Sequence, residues 1–243
     1  MTTVDPSLHI FEHSSVVWTA HPELVPGALY VSGVDADADV DVTVQRFVEM
    51  ARARLAVTAE SEFPEVQAWR RTFSRMGLKP TQYRCAAEAL LRRLRREDTL
   101  PRLHPLVDLC NAISVAFAVP VAALDASKIT NHLVVRPAVG NETYQTFTGE
   151  TEHPDPGEVI FADRDGRSHA RRWTNRQSGH SAVRASTTDA LIVAEAMHES
   201  APGDIDKLMV AIADGIDAGW QATVSPHAVL TASAPRFTFL PSP

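Results

Sequence analysis

Apolar residues recur at helical spacing through the first half of the chain. In "DVTVQRFVEMARARLA" (41–56), Val44, Phe47, Val48, Ala51 and Leu55 share one face, which predicts an amphipathic helix. "PEVQAWRRTFSRMG" (64–77) opens with proline at a helix-entry position, places Val66, Trp69 and Phe73 at i, i+3 and i+7, and stops at Gly77. In "RCAAEALLRRLRRED" (84–98), Ala86, Leu90 and Leu94 form one row and Ala87 and Leu91 the next, leaving the arginines mostly outside. Ahead of these helices, "ELVPGALYVSGVD" (23–35) has the β-branched and aromatic content of a strand.

After Asp125 the pattern becomes strand-like. "HLVVRPAV" (132–139), "NETYQTFTG" (141–149), "GEVIFAD" (157–163) and "RSHARRW" (167–173) are short β-type runs, with "DRDG" (163–166) as a hairpin turn. Two more helices are predicted, "TTDALIVAEAMHES" (187–200) with Thr187 as its cap and "DIDKLMVAIADGIDAGW" (204–220), followed by a strand near "RFTFL". No repeat, low-complexity tract or linker interrupts the pattern. It predicts one α+β domain over 1–243, a mixed or antiparallel sheet flanked by helices.

The stretch "PLVDLCNAISVAFAVPVAALD" (105–125) is apolar on nearly every side except for Asp108, Asn111 and Ser114 at i, i+3 and i+6. Solvated faces elsewhere in the chain use Arg and Glu, whereas this stripe uses neither. A helix apolar nearly all round is buried, so the stripe is expected to border an enclosed pocket, with Asp108 also suited to capping a neighbouring loop. Asn111 is the stronger candidate for chemistry.

Composition narrows the choice of function. The 243 residues are 44% apolar and 22% charged with a net charge of −7, the profile of a globular protein. No apolar run approaches the roughly 20 residues of a membrane span, and "MTTVDPSLHIFEHSSVVW" lacks the basic start and apolar stretch of a signal peptide, so a cytoplasmic protein without membrane attachment is expected. Cys85 and Cys110 form no disulfide framework. Charge is uneven: between Arg70 and Arg102 there are ten Lys or Arg against three acids, a local excess of seven positive charges in an acidic chain. Arg92, Arg93, Arg95 and Arg96 concentrate it, either as a polyanion-binding face or as a solvated one.

The standard nucleophile, metal and phosphate-loop signatures are missing, and "DADADVD" lacks the glycine and the closing glutamate of a calcium loop. Neither metal nor cofactor is expected. What remains is a cluster of donors in "RRWTNRQSGH" (171–180): Arg172, Asn175, Arg176, Gln177 and His180 can hold a carboxylate, phosphate or ester carbonyl, with Trp173 as an aromatic wall.

Several blocks resemble one family. "WRRTFSRMGLKP" (69–80), "EALLRRL" (88–94), "LPRLHPLVDLCNAIS" (100–114), "VPVAALD" (119–125), "GEVIFAD" (157–163), "RRWTNRQ" (171–177) and the Thr187–Glu195 segment resemble the B3/B4 module of the bacterial phenylalanyl-tRNA synthetase β subunit and its free-standing relatives, over about residues 60–200. The resemblance implies a compact module whose pocket accepts the aminoacylated 3′ end of a tRNA and hydrolyses the ester of a mischarged amino acid. By position, the family's Val-Asp-x-Thr-Asn falls on Val107–Asn111, so Asn111 is kept and Cys110 replaces a threonine or similar residue. The editing histidine corresponds to Ala122, while Pro120 and Asp125 remain. The family's tyrosine-recognising glutamate would fall around Gly179–Ala182, where no acid occurs.

The resemblance implies tRNA as partner; for ester hydrolysis without the lost histidine the residues themselves offer Asn111, with Gln177 or Asn175, to orient water and His180 as base, which makes Asn111, Gln177 and His180 the catalytic candidates. Asp108, Cys110, Ala122, Glu158, Arg172, Trp173, Asn175 and Arg176 are the substrate-binding candidates, and Arg92, Arg93, Arg95 and Arg96 the tRNA-facing ones. With the histidine lost, transfer of the amino acid to a small acceptor and binding without catalysis remain alternatives, and the oligomeric state is open.

Overall fold

A computed structural model describes residues 8–241. Residues 1–7, part of the segment read for a leader peptide, and residues 242–243 lie outside the described residues. In chain order the elements are β1 (His9–His13), α1 (Ser15–Ala20), β2 (Val25–Ser32), α2 (Asp41–Val57), α3 (Pro64–Arg75), α4 (Ala86–Glu97), α5 (Pro105–Phe117), β3 (Val121–Asp125), β4 (His132–Pro137), β5 (Tyr144–Gln145) and β6 (Thr151–Glu152). They continue with β7 (Val159–Ala162), β8 (Ser168–Arg171), β9 (Arg176–Gln177), β10 (Asp189–Ala196), α6 (Ala201–Gly219), β11 (Thr223–Val224), β12 (Ala228–Val229) and β13 (Arg236–Phe239).

Helices at 41–57, 64–75, 86–97 and 105–117 form where the apolar spacing predicts them. The acids ahead of α2 act locally, since Asp39 Oδ1 accepts a hydrogen bond from the Asp41 amide at 3.0 Å. The strands build an α+β fold with two principal sheets, one ordered β13-β1-β4-β7-β8-β9 and one ordered β11-β2-β10-β3 with β12 also on β2; β5 and β6 form a separate hairpin. β1 runs parallel to β4, whereas β10 is antiparallel to both β2 and β3.

The β11-β2-β10-β3 sheet is the middle layer. Its Leu29, Val31, Ala190, Ile192 and Ala194 pack in one core with Phe47 of α2, Leu109 and Ile113 of α5, and Met209 and Ile212 of α6. Residues of alternate parity, Ala28, Tyr30, Leu191 and Val193, pack in a second core with Phe11, Leu133, Val135 and Phe161 of the other sheet and Trp69 and Phe73 of α3. The contact with α6 is close: a Cβ at Gly27 of β2 would stand 2.7 Å from Met209 Cγ.

One predicted element is the wrong type. Residues 187–200, read as a helix, contain β10, all eight residues of which are buried. A strand covered on both faces is apolar at both parities, so the period of two that would mark it disappears. Pairing along both edges then overrides the helical preference of its alanines. Thr187 caps no helix; its Oγ1 accepts from the Arg184 amide at 2.9 Å and donates to Asp125 Oδ2 at 2.8 Å.

Buried carboxylates tie the outer strands together. Burial acts to raise the Glu142 and Glu158 pKa values, but hydrogen bonds outweigh it: Val139 and Gly140 amides and Arg136 on Glu142, the Arg171 guanidinium and the Arg172 amide on Glu158. Both are held below the ordinary 4.5. Their stabilising contribution is fully present above that value and is lost as pH falls through the lowered folded ones. Urea midpoints from these groups are therefore expected to be flat between about pH 7 and 5 and to fall below about pH 4.5; a midpoint unchanged down to about pH 3 would contradict the assignment.

Candidate functional site

The site lies where edges of the two sheets approach each other. β3 is an edge of the middle sheet and β9 an edge of the other, and the Gln177 side chain joins them, Nε2 donating to Ala123 O at 2.9 Å. Two hollows open on either side of this link. The inner one, of about 60 Å³, is lined by Pro120, Val121 and Ala122, by Phe161 and Ala170, by the turn from Trp173 to Gln177, and by Val193 and Glu195 of β10. The outer cleft, of about 570 Å³, is bordered by the connector into α5, by Val107, Cys110 and Asn111, by Phe147, and by residues 182–185. Val121 and Gln177 border both.

Glu195 closes the inner hollow and is the only acid on its wall. It is 2% exposed. His13 Nε2 lies 2.6 Å and Trp173 Nε1 2.7 Å from Oε1, while Trp69 Nε1 donates to the Glu195 carbonyl at 3.2 Å. A carboxylate only accepts, so the two side-chain contacts place N–H groups against Oε1; Oε2 takes neither. Sequence reading missed both, Glu195 because β10 was read as a helix and His13 because β1 was not read as an element. The available signal was a lone acid inside "ALIVAEAM".

Trp173 reaches Glu195 through an unusual turn. Arg172 and Trp173 stand at φ 48° and 58°, two successive left-handed residues that are not glycine, each costing about 1–2 kcal/mol. The Arg172 amide donates to Glu158 Oε1 at 2.9 Å and the Trp173 amide to Val159 O at 2.7 Å, which holds the turn.

The predicted polar stripe divides. Asn111 borders the outer cleft, half-buried. Ser114 instead donates to Val119 O at 2.6 Å at the end of its own helix. Asp108 is turned to the connector, accepting from the Leu103 amide at 2.8 Å with Arg102 Nε at 3.2 Å, and lines neither hollow. Cys110 borders the cleft, but burial pushes its thiol up to about 12, so it is a wall and not a thiolate.

The donor cluster also separates. Trp173, Asn175, Arg176 and Gln177 line the inner hollow with Ala122. Asn175 is held by its Nδ2 donating to Arg84 O at 2.7 Å, and Arg176 by Glu152 at 3.0 Å. Glu158 and Arg172 face a different depression, where the Arg172 guanidinium covers Tyr83 at 4.8 Å from the ring centre. His180 is likewise not beside Asn111. The chain after Gln177 carries it to a third depression with Thr143, Tyr144 and Arg167, its ring 5.8 Å from His169 and its pKa lowered chiefly by burial.

Of the four arginines on α4, two are structural. Arg92 and Arg95 reach the carboxylate of Glu60, which is 1% exposed, at 3.4 and 2.9 Å. Arg93 pairs with exposed Glu97 at 2.9 Å, and Arg96 is exposed. Stranding a buried charge costs far more than losing an exposed pair. Arg92→Ala/Arg95→Ala is therefore expected to destabilise by about 1–3 kcal/mol and Arg93→Ala/Arg96→Ala by under about 1 kcal/mol in urea unfolding; equal losses would contradict this division.

A family model described as the B3/4 domain matches residues 68–203, more than half of the chain. The chain belongs to the B3/4 domain family. Both hollows of this B3/4 chain draw most of their walls from the matched region, with Glu195 inside it. No curated protein matches the chain. Among solved structures, an N-terminal fragment of the phenylalanyl-tRNA synthetase β subunit from Pyrococcus horikoshii is similar over 88% of this chain and 49% of its own, at 9% identity and a TM-score of 0.41. The chain thus spans about half the length of that fragment. Among the described residues of the B3/4 chain, no helix is long and apolar enough to cross a membrane, and no three His, Cys, Asp or Glu are grouped to hold a metal.

Proposed function

We propose that this chain acts in the cytoplasm as a single B3/4 module that hydrolyses the ester of an aminoacylated tRNA 3′ end. The observation that carries the reading is the meeting of the two hollows at Val121 and Gln177: an amino-acid side chain enters the inner one, the terminal nucleoside occupies the cleft, and the ester carbonyl lies at the junction. Gln177 spends one N–H on Ala123 O, which fixes its amide and leaves a second N–H and the carbonyl oxygen for a water or the ester. Asn111 takes part in no side-chain hydrogen bond among the described residues and faces the same space. Water attacks the carbonyl carbon, and the tetrahedral intermediate expels the ribose hydroxyl, which takes up a proton as free acid forms. Fixed amide dipoles stabilise the developing oxyanion without reorganisation. With His180 elsewhere, positioning supplies the acceleration, which suits an already activated ester. The outer face of α4, through Arg93 and Arg96, meets tRNA phosphates.

The inner hollow also selects by size. Its 60 Å³ is less than half the roughly 150 Å³ of an apolar cavity that admits benzene. Small side chains fit, hydroxyl-bearing ones with Glu195 as acceptor; aromatic ones do not. Incubation with a panel of aminoacyl-tRNAs is expected to release alanine or serine faster than tyrosine or phenylalanine. Release of none above buffer would end the hydrolase reading, and faster release of tyrosine would end the size argument.

A further inference from the structure

Two large apolar side chains stand open to solvent at the outer cleft, Leu103 at 72% and Phe147 at 65% exposure. Their backbones, by contrast, are pinned. The Leu103 amide donates to buried Asp108 at 2.8 Å, in a connector bracketed by Pro101 and Pro105. Phe147 sits on the turn between β5 and β6, where the Thr146 amide donates to Glu150 O at 2.8 Å and the Glu150 amide to Thr146 Oγ1 at 3.0 Å. That hairpin is fastened to the 177–179 segment: Gly179 N and Ser178 Oγ both donate to Gln145 O, at 2.8 and 2.9 Å. It presses so closely that a Cβ at Gly179 would stand 2.6 Å from Thr146 O. Fixed backbone beneath an exposed apolar side chain is a preorganised contact surface, because little freedom remains to be lost on binding.

The charge of the cleft narrows the occupant. In a chain of net charge −7, the cleft wall includes Arg184 and no Asp or Glu. An aromatic ring, an aliphatic side chain and a guanidinium around 570 Å³ match the flat apolar faces and anionic backbone of a nucleotide. Stacking on an aromatic ring accepts any base, since each has a π-face.

We infer that Phe147 and Leu103 form a nucleobase-stacking clamp for the 3′-terminal nucleotide of an RNA, with Arg184 at its phosphate. The inference rests on the aminoacyl-ester reading for its choice of RNA end, and it adds the residues that hold that end while the amides of Asn111 and Gln177 face the ester. Neither residue touches the reacting atoms; they position the substrate.

The test is binding, so it is independent of turnover. Two fluorescent RNA oligonucleotides are titrated with the full chain by anisotropy: one ends in adenosine, and the other is identical except for an abasic terminal ribose. The wild type is expected to bind the intact RNA more tightly. Phe147→Ala is expected to weaken intact-RNA binding roughly 5- to 150-fold and Leu103→Ala by a smaller factor, with Phe147→Trp retaining it. Both side chains are exposed, so unchanged melting temperatures establish that the fold is intact. Equal affinity for the two RNAs, or Phe147→Ala binding as the wild type does, overturns the clamp even if deacylation is observed. Base-dependent, Phe147-dependent binding supports it even if no ester is hydrolysed, a result that would remove only the catalytic reading.

Discussion

Asn111→Ala is expected to slow release of the amino acid roughly 10²- to 10³-fold, the usual loss when one oxyanion-stabilising donor is removed, while the melting temperature stays within about 2 °C of the wild type. The separation of the two effects follows from its surroundings. Asn111 is half-buried on a helix whose other faces are packed, and its amide makes no side-chain hydrogen bond among the described residues. Removing the amide strands no partner, so stability has little to lose, whereas the cleft loses its one unbonded amide. Single-turnover rates on the best ester of the panel, together with calorimetry, check this. A rate within about threefold of the wild type would remove Asn111 from the chemistry.

Glu195→Ala is expected to have the opposite profile, lowering stability by about 3–5 kcal/mol and the melting temperature by roughly 6–20 °C for a chain of this size. The buried carboxylate receives His13 and Trp173, and Trp69 bonds the carbonyl of the same residue. Truncation leaves two buried donors unpaired and adds a void beside a turn already held in left-handed geometry. Glu195→Gln keeps the size and one acceptor oxygen, so its loss is smaller than that of the alanine variant. Calorimetric melting of both variants decides the point; Glu195→Ala melting within about 2 °C of the wild type would show that the network contributes nothing.

Helices α2, α3 and α4 were legible because each buries one face and exposes the other, which writes a period of 3.6 into the sequence. The β7–β8 hairpin was legible through "DRDG", whose Gly166 stands at φ 76°. β10 was not, and the reason is its position: Leu191 and Val193 face one core while Ala190, Ile192 and Ala194 face the other. A residue run without a polar side gives no period, and Thr187 imitated a cap. That single misreading hid Glu195, since an acid on a predicted helix is unremarkable and an acid on a doubly covered strand is not. The site was half legible for a related reason. Asn111 and Gln177 come from different elements and are joined only by the approach of β3 and β9. His180, three residues beyond Gln177, is carried away by a bend that no residue spacing reports.

Strand order also sets when the molecule can complete itself on the ribosome. β2 pairs with β10 along its whole length, Ser32 against Asp189 and Val25 against Ala196, so roughly 160 residues separate the two partners. At about 5–20 residues per second of synthesis, the nascent β2 waits roughly 8–30 s with an unpaired, largely apolar edge, and β1 waits longer still for β13. Any truncation before residue 189 removes β10 and leaves that edge of β2 without its partner.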